Sequence, residues 1–365
     1  MYWRKRMRRR LIAAGLLCLA LCALGIWGVP KLIRLLSARA GDYTYVLLDD
    51  GTAEIRQYYG TESEITIPDT LDGHTVSCIG EKAFFWRIRL TGVTVPKGIC
   101  TIGPGAFTGC VRLTTLNLES GLTAIGDEAF SECHSLKSLV IPESVTAIGS
   151  RAFSGCTSLT EINIPDGAVS IGANPFVKCR NLKKLSLSPE HPALKRMDDD
   201  LYDREGSLLI CNLAAALPSS YAIPPGIAWI GDSAFCEKRQ LEEITIPDGV
   251  VEIRDFAFSG CASLKRAAFP MGLTSIGNVA FSECACLSEI ILPDGLTDIG
   301  YLAFYGCASL TGAVIPDSVT AIDDSAFIGC PNLVLTVGPG SYAERYCIRN
   351  ELEYQYSADT ELAIS

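Results

Sequence analysis

Residues 141–163 read Ile-Pro-Glu-Ser-Val-Thr-Ala-Ile-Gly-Ser-Arg-Ala-Phe-Ser-Gly-Cys-Thr-Ser-Leu-Thr-Glu-Ile-Asn, and this 23-residue phrase occurs ten times in the 365-residue chain. A fixed period in this range predicts a solenoid, in which each repeat forms one coil stacked on the next. The phenylalanine of the phrase recurs every 23 residues within two groups of five, which are Phe84, Phe107, Phe130, Phe153 and Phe176, then Phe235, Phe258, Phe281, Phe304 and Phe327.

Two apolar positions are the same in all ten repeats. An isoleucine stands five residues before each phenylalanine and a leucine six residues after it, as Ile148 and Leu159 do around Phe153. Each is expected to stack on its copy in the next coil, because no single coil can bury its apolar face alone. The alternation in residues 159–164 predicts a short strand with its isoleucines inward and Asn163 outward.

The residues between these positions predict the corners of the coil. The Ala-Phe segment is too short for a long helix and predicts one helical or 3₁₀ turn. Gly149 follows the invariant isoleucine, as glycine does in eight repeats of ten. Glycine at that place predicts a tight corner of the backbone.

Cysteine is frequent, with 16 in the chain, and eight of them stand three residues after a repeat phenylalanine. One cysteine per coil indicates a structural position, and a free cysteine is a small, readily buried residue. The sequence therefore predicts buried thiols, although stacked coils would bring neighbouring cysteines near bonding range. The regular spacing lacks the two close pairs of a zinc site.

The first 40 residues differ from the rest. Residues 4–10 hold six Lys or Arg, and residues 11–29 carry no charge. At 1.5 Å per residue such a helix spans about 28 Å, close to the thickness of a bilayer core. This predicts a signal-anchor whose basic end stays in the cytoplasm, so that the rest is exported. The alternative is a secreted protein cleaved near Ala40, since Ala38-Arg39-Ala40 fits a small-x-small cleavage pattern.

The charge distribution argues against nucleic-acid binding. Residues 1–40 contain nine Lys or Arg and no acid, which leaves 22 basic and 41 acidic residues, a net charge of −19, in the remainder. Neutralising phosphates requires clustered Lys and Arg, which this part of the chain lacks. We expect the acidic surface to keep an exported protein soluble.

The repeated pattern Leu-x-x-(Ile/Leu)-x-(Ile/Leu)-Pro-x-x-(Val/Leu)-Thr-x-Ile-Gly-x-x-Ala-Phe-x-x-Cys-x-x-Leu resembles the BspA-type leucine-rich repeats of bacterial surface proteins. The resemblance covers about residues 65–337. It implies an α/β, mostly β fold: a right-handed leucine-rich-repeat solenoid with a strand sheet on one face. It also implies an extracytoplasmic adhesion or binding role, without catalytic residues or cofactors.

The chain divides into six predicted segments. The 59-residue gap between Phe176 and Phe235 contains an inserted island, which predicts either a binding loop or a second capping or spacer element. A hairpin should cover the first coil, and a short helix and a strand the last. The segments are a basic stub and membrane span (1–40), an N-terminal cap (41–75), repeat block 1 (76–187), the island (188–222), repeat block 2 (223–337) and a C-terminal cap and tail (338–365).

No arrangement of residues predicts an enzyme. The chain has no G-x-S-x-G elbow, P-loop or dinucleotide fingerprint. Cys133-His134 imitates a thiolate–imidazole pair, but the cysteine is expected to point inward and the histidine outward. Asp198-Asp199-Asp200 lacks the alternating ligand spacing of a calcium loop and predicts a solvated acidic loop.

The strand face is therefore the candidate binding surface, for a protein or cell-surface ligand of unknown identity. Outward apolar residues on it either mark a recognition surface or reflect ordinary strand propensity. The alternative function is a structural or self-assembling envelope spacer. The candidate partner-binding residues are Asn117, Val140, Glu161, Asn163, Lys184, Glu243, Thr245, Arg266, Glu289, Ile291 and Val314.

Overall fold

The computed structural model describes residues 37–214 and 217–357. The predicted membrane span, residues 11–29, lies outside these ranges. Within them, no helix is long and apolar enough to cross a bilayer. We number the coils by their phenylalanines, so that Phe84 marks coil 1 and Phe327 marks coil 10.

The regular secondary structure of the described chain consists of short strands and one helix, joined by turns. The N-terminal part contains β1 (Ala38–Ala40), β2 (Tyr43–Leu47), β3 (Ala53–Tyr58), β4 (Glu64–Thr66), β5 (Thr70–Leu71) and β6 (His74–Ile79). Block 1 continues with β7 (Gly92–Val95), β8 (Thr101–Ile102), β9 (Thr115–Leu118), β10 (Ala124–Ile125), β11 (Ser138–Leu139), β12 (Ala147–Ile148), β13 (Glu161–Asn163), β14 (Ser170–Ile171) and β15 (Lys184–Ser186).

The island and block 2 also contain short strands. The island contains β16 (Leu194–Met197), β17 (Asp200–Asp203), β18 (Leu208–Asn212) and β19 (Ser220–Ala222). Block 2 contains β20 (Trp229–Ile230), β21 (Glu243–Thr245), β22 (Glu252–Ile253), β23 (Arg266–Ala268), β24 (Ser275–Ile276), β25 (Glu289–Ile291), β26 (Asp298–Ile299), β27 (Gly312–Val314), β28 (Ala321–Ile322) and β29 (Val334–Val337). The chain then forms α1 (Tyr342–Arg349) and β30 (Tyr354–Tyr356).

Two rows of parallel strands run along the stack and confirm a solenoid of 23-residue coils. One row, the ladder sheet, joins the two-residue strands in register, so that Ile102, Ile125, Ile148 and Ile171 are successive partners. The other row carries the strand face, which we define as the outward side chains of four smaller sheets. Their strand orders are β4-β7-β9, β11-β13-β15, β19-β21-β23 and β25-β27-β29-β30.

The phenylalanines form the centre of each block. Within a block, successive rings lie 4.7–5.9 Å apart and within 14° of parallel. A tyrosine covers the outer end of each block's column: Tyr58 lies 5.2 Å from Phe84, and Tyr346 lies edge-on to Phe327. Each coil thus buries its ring against its neighbours, as stacked repeats require.

The Ala-Phe turn is not the helical or 3₁₀ turn that its sequence predicts. In coil 4, Arg151 and Gly155, two residues to either side of Phe153, have φ values of 55° and 71°. This left-handed backbone at both ends aims the Arg151, Phe153 and Gly155 amides at the next coil, where they donate to carbonyls at 3.0, 2.9 and 2.8 Å. The turns therefore form a third hydrogen-bonded row along the solenoid.

The repeat cysteines are thiols that complete the bonding of this row. All 14 cysteines in the described ranges are free. The Sγ of Cys156 donates to the Phe130 carbonyl at 3.2 Å, and the other seven repeat cysteines bond the phenylalanine carbonyl of the preceding coil in the same way. Coils 1 and 6, which begin the two blocks, have Arg87 and Lys238 at this position instead of cysteine.

Gly149 serves close packing between coils and not the tight corner that we expected. Its backbone is outside the left-handed region, but a Cβ there would lie 2.4 Å from the amide nitrogen of Asp127 in the preceding coil. Such a contact could not be accommodated without moving backbone, so the glycine lets coil 4 approach coil 3 this closely.

The island acts as a wedge between the blocks. On the ladder side, β14 of coil 5 is the last strand of one sheet, and β16, β17 and β18 precede β20 of coil 6 in the next sheet. On the turn side nothing intervenes, since Asn174 Nδ2 donates directly to the Ser233 carbonyl at 2.9 Å. Three strands occupy about 14 Å at 4.8 Å each, so the stack must bend towards its turn side.

The wedge also caps block 2 as the N-terminal hairpin caps block 1. In both places two antiparallel pairings lead to a strand that runs parallel to the first repeat strand: β1-β2-β3-β6 and β16-β17-β18-β20. The Asp200 carboxylate is buried inside the wedge, where it accepts hydrogen bonds from Tyr202, Tyr221 and Asn212. The prediction of a solvated loop is therefore wrong for Asp200.

The C-terminal end of the stack is covered as well. The Ser341 side chain caps α1 by accepting from the Glu344 amide at 3.1 Å. β30 pairs in parallel with β29 and adds the last strand of the strand face. The apolar face of α1 buries Tyr346 and Cys347 against coil 10.

Candidate functional site: the strand face and the junction between the blocks

The structure places the predicted partner-binding residues on one side of the solenoid. Ten of the eleven are exposed, and Asn163 alone is half-buried. The inward neighbours Ile162 and Ile164 are 0% and 3% exposed, which confirms the predicted alternation. Val140 lies one residue beyond β11. The row thus presents outward side chains in parallel register at intervals of one coil, about 4.8 Å.

Most charges on the strand face neutralise one another. Glu161 and Lys184 are register partners on adjacent strands and form an ion pair, and Glu243 and Arg266 do the same at 3.5 Å. Because these pairs are exposed, each contributes at most about 1 kcal/mol to stability. Their effect is to leave little net charge along this part of the row.

Asn163 has a structural task. Its Nδ2 donates to the Ile141 carbonyl at 2.9 Å, and its Oδ1 accepts from the Ile141 amide at 2.7 Å. The amide therefore replaces the strand pairing that ends after Leu139 and holds the segment bearing Val140. Its side chain is used within the fold, and it is the only one of the eleven predicted site residues that is not exposed.

Apolar exposure distinguishes two places on the strand face. Val140 is 75% exposed and stands alone in block 1. In block 2, Ile291 and Val314 are register partners on β25 and β27, with exposures of 73% and 38%. Glu289, on the same strand, faces Gly312 and forms no ion pair within the described ranges. Ile291, Val314 and Glu289 therefore make a small apolar patch with one free carboxylate beside it.

A cleft that we did not predict from the sequence lies on the turn side where the blocks meet. It is a cleft of about 540 Å³ whose walls come from coils 4 and 5 and from coils 6 to 8. The guanidinium of Arg151 in coil 4 lies 4.9 Å from the ring centroid of Phe256 in coil 7. Coils that would be three spacings apart in a straight stack touch here, because the wedge bends the solenoid.

Glu237 holds this junction together. Its carboxylate pairs with Lys178 at 2.9 Å, with Arg180, and with Arg239 at 3.4 Å. Burial alone would raise the pKa of Glu237, but the hydrogen bonds from Lys178 and Arg180 outweigh burial and lower it. Lys178 and Arg180 are thus engaged in joining coils 5 and 6. The signals in the sequence were the 59-residue gap and the missing cysteine at Lys238.

The described residues contain no group of three or more His, Cys, Asp or Glu that could hold a metal ion. Cys133 and His134 do not form a pair. The Cys133 thiol is buried and donates to the Phe107 carbonyl, and burial raises its pKa well above the usual value. The His134 ring bonds the Gly155 carbonyl at 2.9 Å and the Glu132 carboxylate at 3.3 Å.

A stack of parallel coils with two capped ends defines a leucine-rich-repeat solenoid. The family model described as "BspA type Leucine rich repeat region (6 copies)" matches residues 61–201 and 217–334. This chain belongs to that family. No curated protein matches it.

Solved bacterial structures share this architecture. A leucine rich cell surface protein from Faecalibacterium prausnitzii A2-165 is 29% identical with a TM-score of 0.58, over 90% of this chain and 97% of that chain. A leucine-rich repeat protein from Eubacterium ventriosum is 25% identical with a TM-score of 0.67, over 81% and 82%. The pneumococcal vaccine antigen PcpA, 19% identical with a TM-score of 0.63 over 88% and 98%, shares the fold.

Proposed function

We propose that this chain is a membrane-anchored, extracytoplasmic repeat protein that binds another protein or a host surface through its strand face, as an adhesin does. The observation that carries the proposal is the apolar patch of Ile291 and Val314, exposed on a rigid parallel sheet. Exposed apolar groups on an ordered surface are typical of recognition sites. The likeness to a protein described as a cell surface protein supports the location.

The position of Ala40 supports an anchor that stays attached. Ala40 belongs to β1, which pairs antiparallel with β2 from Ala38 opposite Tyr45 to Ala40 opposite Tyr43. Cleavage after Ala40 would remove this edge strand from the cap. Retention of residues 1–40, with residues 11–29 in the membrane, keeps the cap complete, and secretion after cleavage is the alternative.

A self-assembling spacer is less well supported by the geometry. Solenoids that grow end to end need open terminal coils, but the hairpin β2-β3 covers the first coil and α1 covers the last. Homotypic association of the purified full chain, measured by analytical ultracentrifugation, would favour the spacer.

The binding face can be tested with matched variants of the full chain in detergent. Ile291→Lys with Val314→Lys places two charges on the strand face, and Ile328→Lys with Tyr305→Lys places two on the turn side, where both residues are also exposed. Binding to host cells and immobilised extracellular-matrix proteins should fall about tenfold or more with the first pair only, a loss of at least 1.4 kcal/mol. Equal binding by both variants would contradict the proposed face.

A further inference from the structure

A cluster of exposed aromatic and aliphatic side chains surrounds the first coil. Tyr59, Phe85, Trp86 and Ile88 are 44%, 42%, 55% and 50% exposed. Phe85 and Trp86 meet edge-on at 6.2 Å, and Tyr59, Trp86 and Ile88 line one groove of about 240 Å³. We call these four residues the coil 1 patch. An apolar cluster of this kind on a folded surface generally marks an interaction site.

The repeat does not require this patch. The residues that correspond to Phe85 and Trp86 are Thr108 and Gly109 in coil 2. Trp86 has a φ of 55°, a left-handed conformation that glycine adopts at the same place in coil 2. Non-glycine residues adopt the same conformation at this place in other coils, as Glu132 does in coil 3, so the turn accepts a tryptophan here, and its exposed ring is not part of the core.

Arginines accompany the aromatic rings. The guanidinium groups of Arg39 and Arg87 lie 5.1 and 5.8 Å from the Tyr59 ring centroid, on a residue of the patch. Arg89 also lines the groove, where Glu62 is the only carboxylate among the lining residues. Trp and Tyr beside basic side chains are the combination that settles at the headgroup level of a bilayer.

The patch lies where the chain comes from its predicted anchor. Arg39 is part of β1 and contacts Tyr59, so the polypeptide enters the solenoid at the patch itself. Eight residues, 30–37, separate the uncharged segment 11–29 from β1. Fully extended, they reach roughly 30 Å at most. If residues 11–29 cross the bilayer, the patch is held next to the lipid surface.

We propose that the coil 1 patch is a lipid-docking surface, which inserts its rings among the headgroups of an anionic phospholipid bilayer and orients the solenoid on the membrane. The proposal rests on the proposed membrane anchor. It adds that the first coil is in direct contact with lipid and does not move freely on the tether.

Tryptophan fluorescence of the full chain tests this contact. The chain has four tryptophans, and Trp3→Phe with Trp27→Phe and Trp229→Phe leaves Trp86 alone. The protein is reconstituted into phosphatidylcholine–phosphatidylglycerol vesicles, with or without lipids brominated on their acyl chains. Bromine should reduce Trp86 emission about twofold, because a ring inserted 5–10 Å into the headgroup boundary reaches these chains.

Matched variants separate docking from tethering. A chain that retains only Trp229, in coil 6, should show no quenching, and Phe85→Ser with Ile88→Ser should remove the quenching of Trp86. Vesicle flotation and carbonate extraction report on the anchor independently. Firm incorporation without Trp86 quenching overturns docking and leaves the anchor intact, whereas failure to incorporate overturns the anchor and docking together. If Trp86 becomes shielded from solvent as the protein concentration rises, and not when lipid is added, the patch binds a second copy of the chain, and docking is overturned.

Discussion

Replacing Phe153 by alanine tests the stacked core quantitatively. Phe153 is fully buried, and its ring lies 5.7 Å from Phe130 and 5.9 Å from Phe176. Since both neighbouring rings are held by their own coils, the cavity cannot collapse easily. Such a truncation should cost about 3–5 kcal/mol of unfolding free energy. The turn hydrogen bonds are made by backbone atoms and remain possible in the variant.

The destabilisation caused by Phe153→Ala should be confined to part of the solenoid. Coupling between nearest neighbours should weaken coils 3, 4 and 5 most. Block 2 belongs to a separate core cluster and should change little. Hydrogen exchange measured by mass spectrometry should show amides around Phe153 opening about 10²- to 4 × 10³-fold more often, as 3–5 kcal/mol implies. Equal acceleration in all ten coils, or a cost below 1 kcal/mol, would refute the reasoning.

Three further predictions concern the junction, the wedge and the thiols. Glu237→Gln should lower the free energy of unfolding in urea by about 1–3 kcal/mol, because it leaves three cations without their carboxylate. The stability difference between the wild type and this variant should disappear as pH falls through the lowered pKa of Glu237. Glu243→Gln, the control in an exposed ion pair, should cost at most about 1 kcal/mol. Deleting residues 187–222 restores the 23-residue spacing between Phe176 and Phe235. A crystal structure of this variant should show Arg151 and Phe256 about 15 Å apart, which is three coil spacings. Retention of the contact between these two residues would contradict the wedge. Burial raises the pKa of Cys110, Cys156 and Cys261 from 9.0 to about 12. Because these thiols ionise near pH 9 only in the unfolded chain, stability should fall as pH rises from about 9 to 12. Iodoacetamide at pH 8 should label exposed Cys100 and Cys286 while sparing the seven buried repeat cysteines until urea is added.

The periodic features of the fold could be predicted because each depends on one position repeated every 23 residues. Ile148 pairs with Ile125 and Ile171, and the phenylalanines stack, since identical coils place identical atoms over one another. The same argument places Glu161 beside Lys184. The outward side of the strand face followed from simple alternation along each strand.

Features that depend on departures from the repeat could not be predicted in this way. The left-handed ends of the turn occur at residues as different as Arg151, Phe256 and Leu302, which carry no common local signal. The bend arises from an imbalance between three inserted strands on one side and none on the other. The burial of Asp200 depends on Tyr221, 21 residues away, so its acidic neighbours suggested the wrong surroundings.

The location of the chain is the claim on which its proposed function most depends. Intact cells that express the full chain can be treated with external protease, and the protein remaining in the carbonate-washed membrane can be subjected to N-terminal sequencing. The account predicts that residues 1–40 stay in the membrane fraction and that the solenoid is cleaved from outside. A mature protein beginning at Gly41 in the culture medium, or a solenoid protected in intact cells, would contradict it.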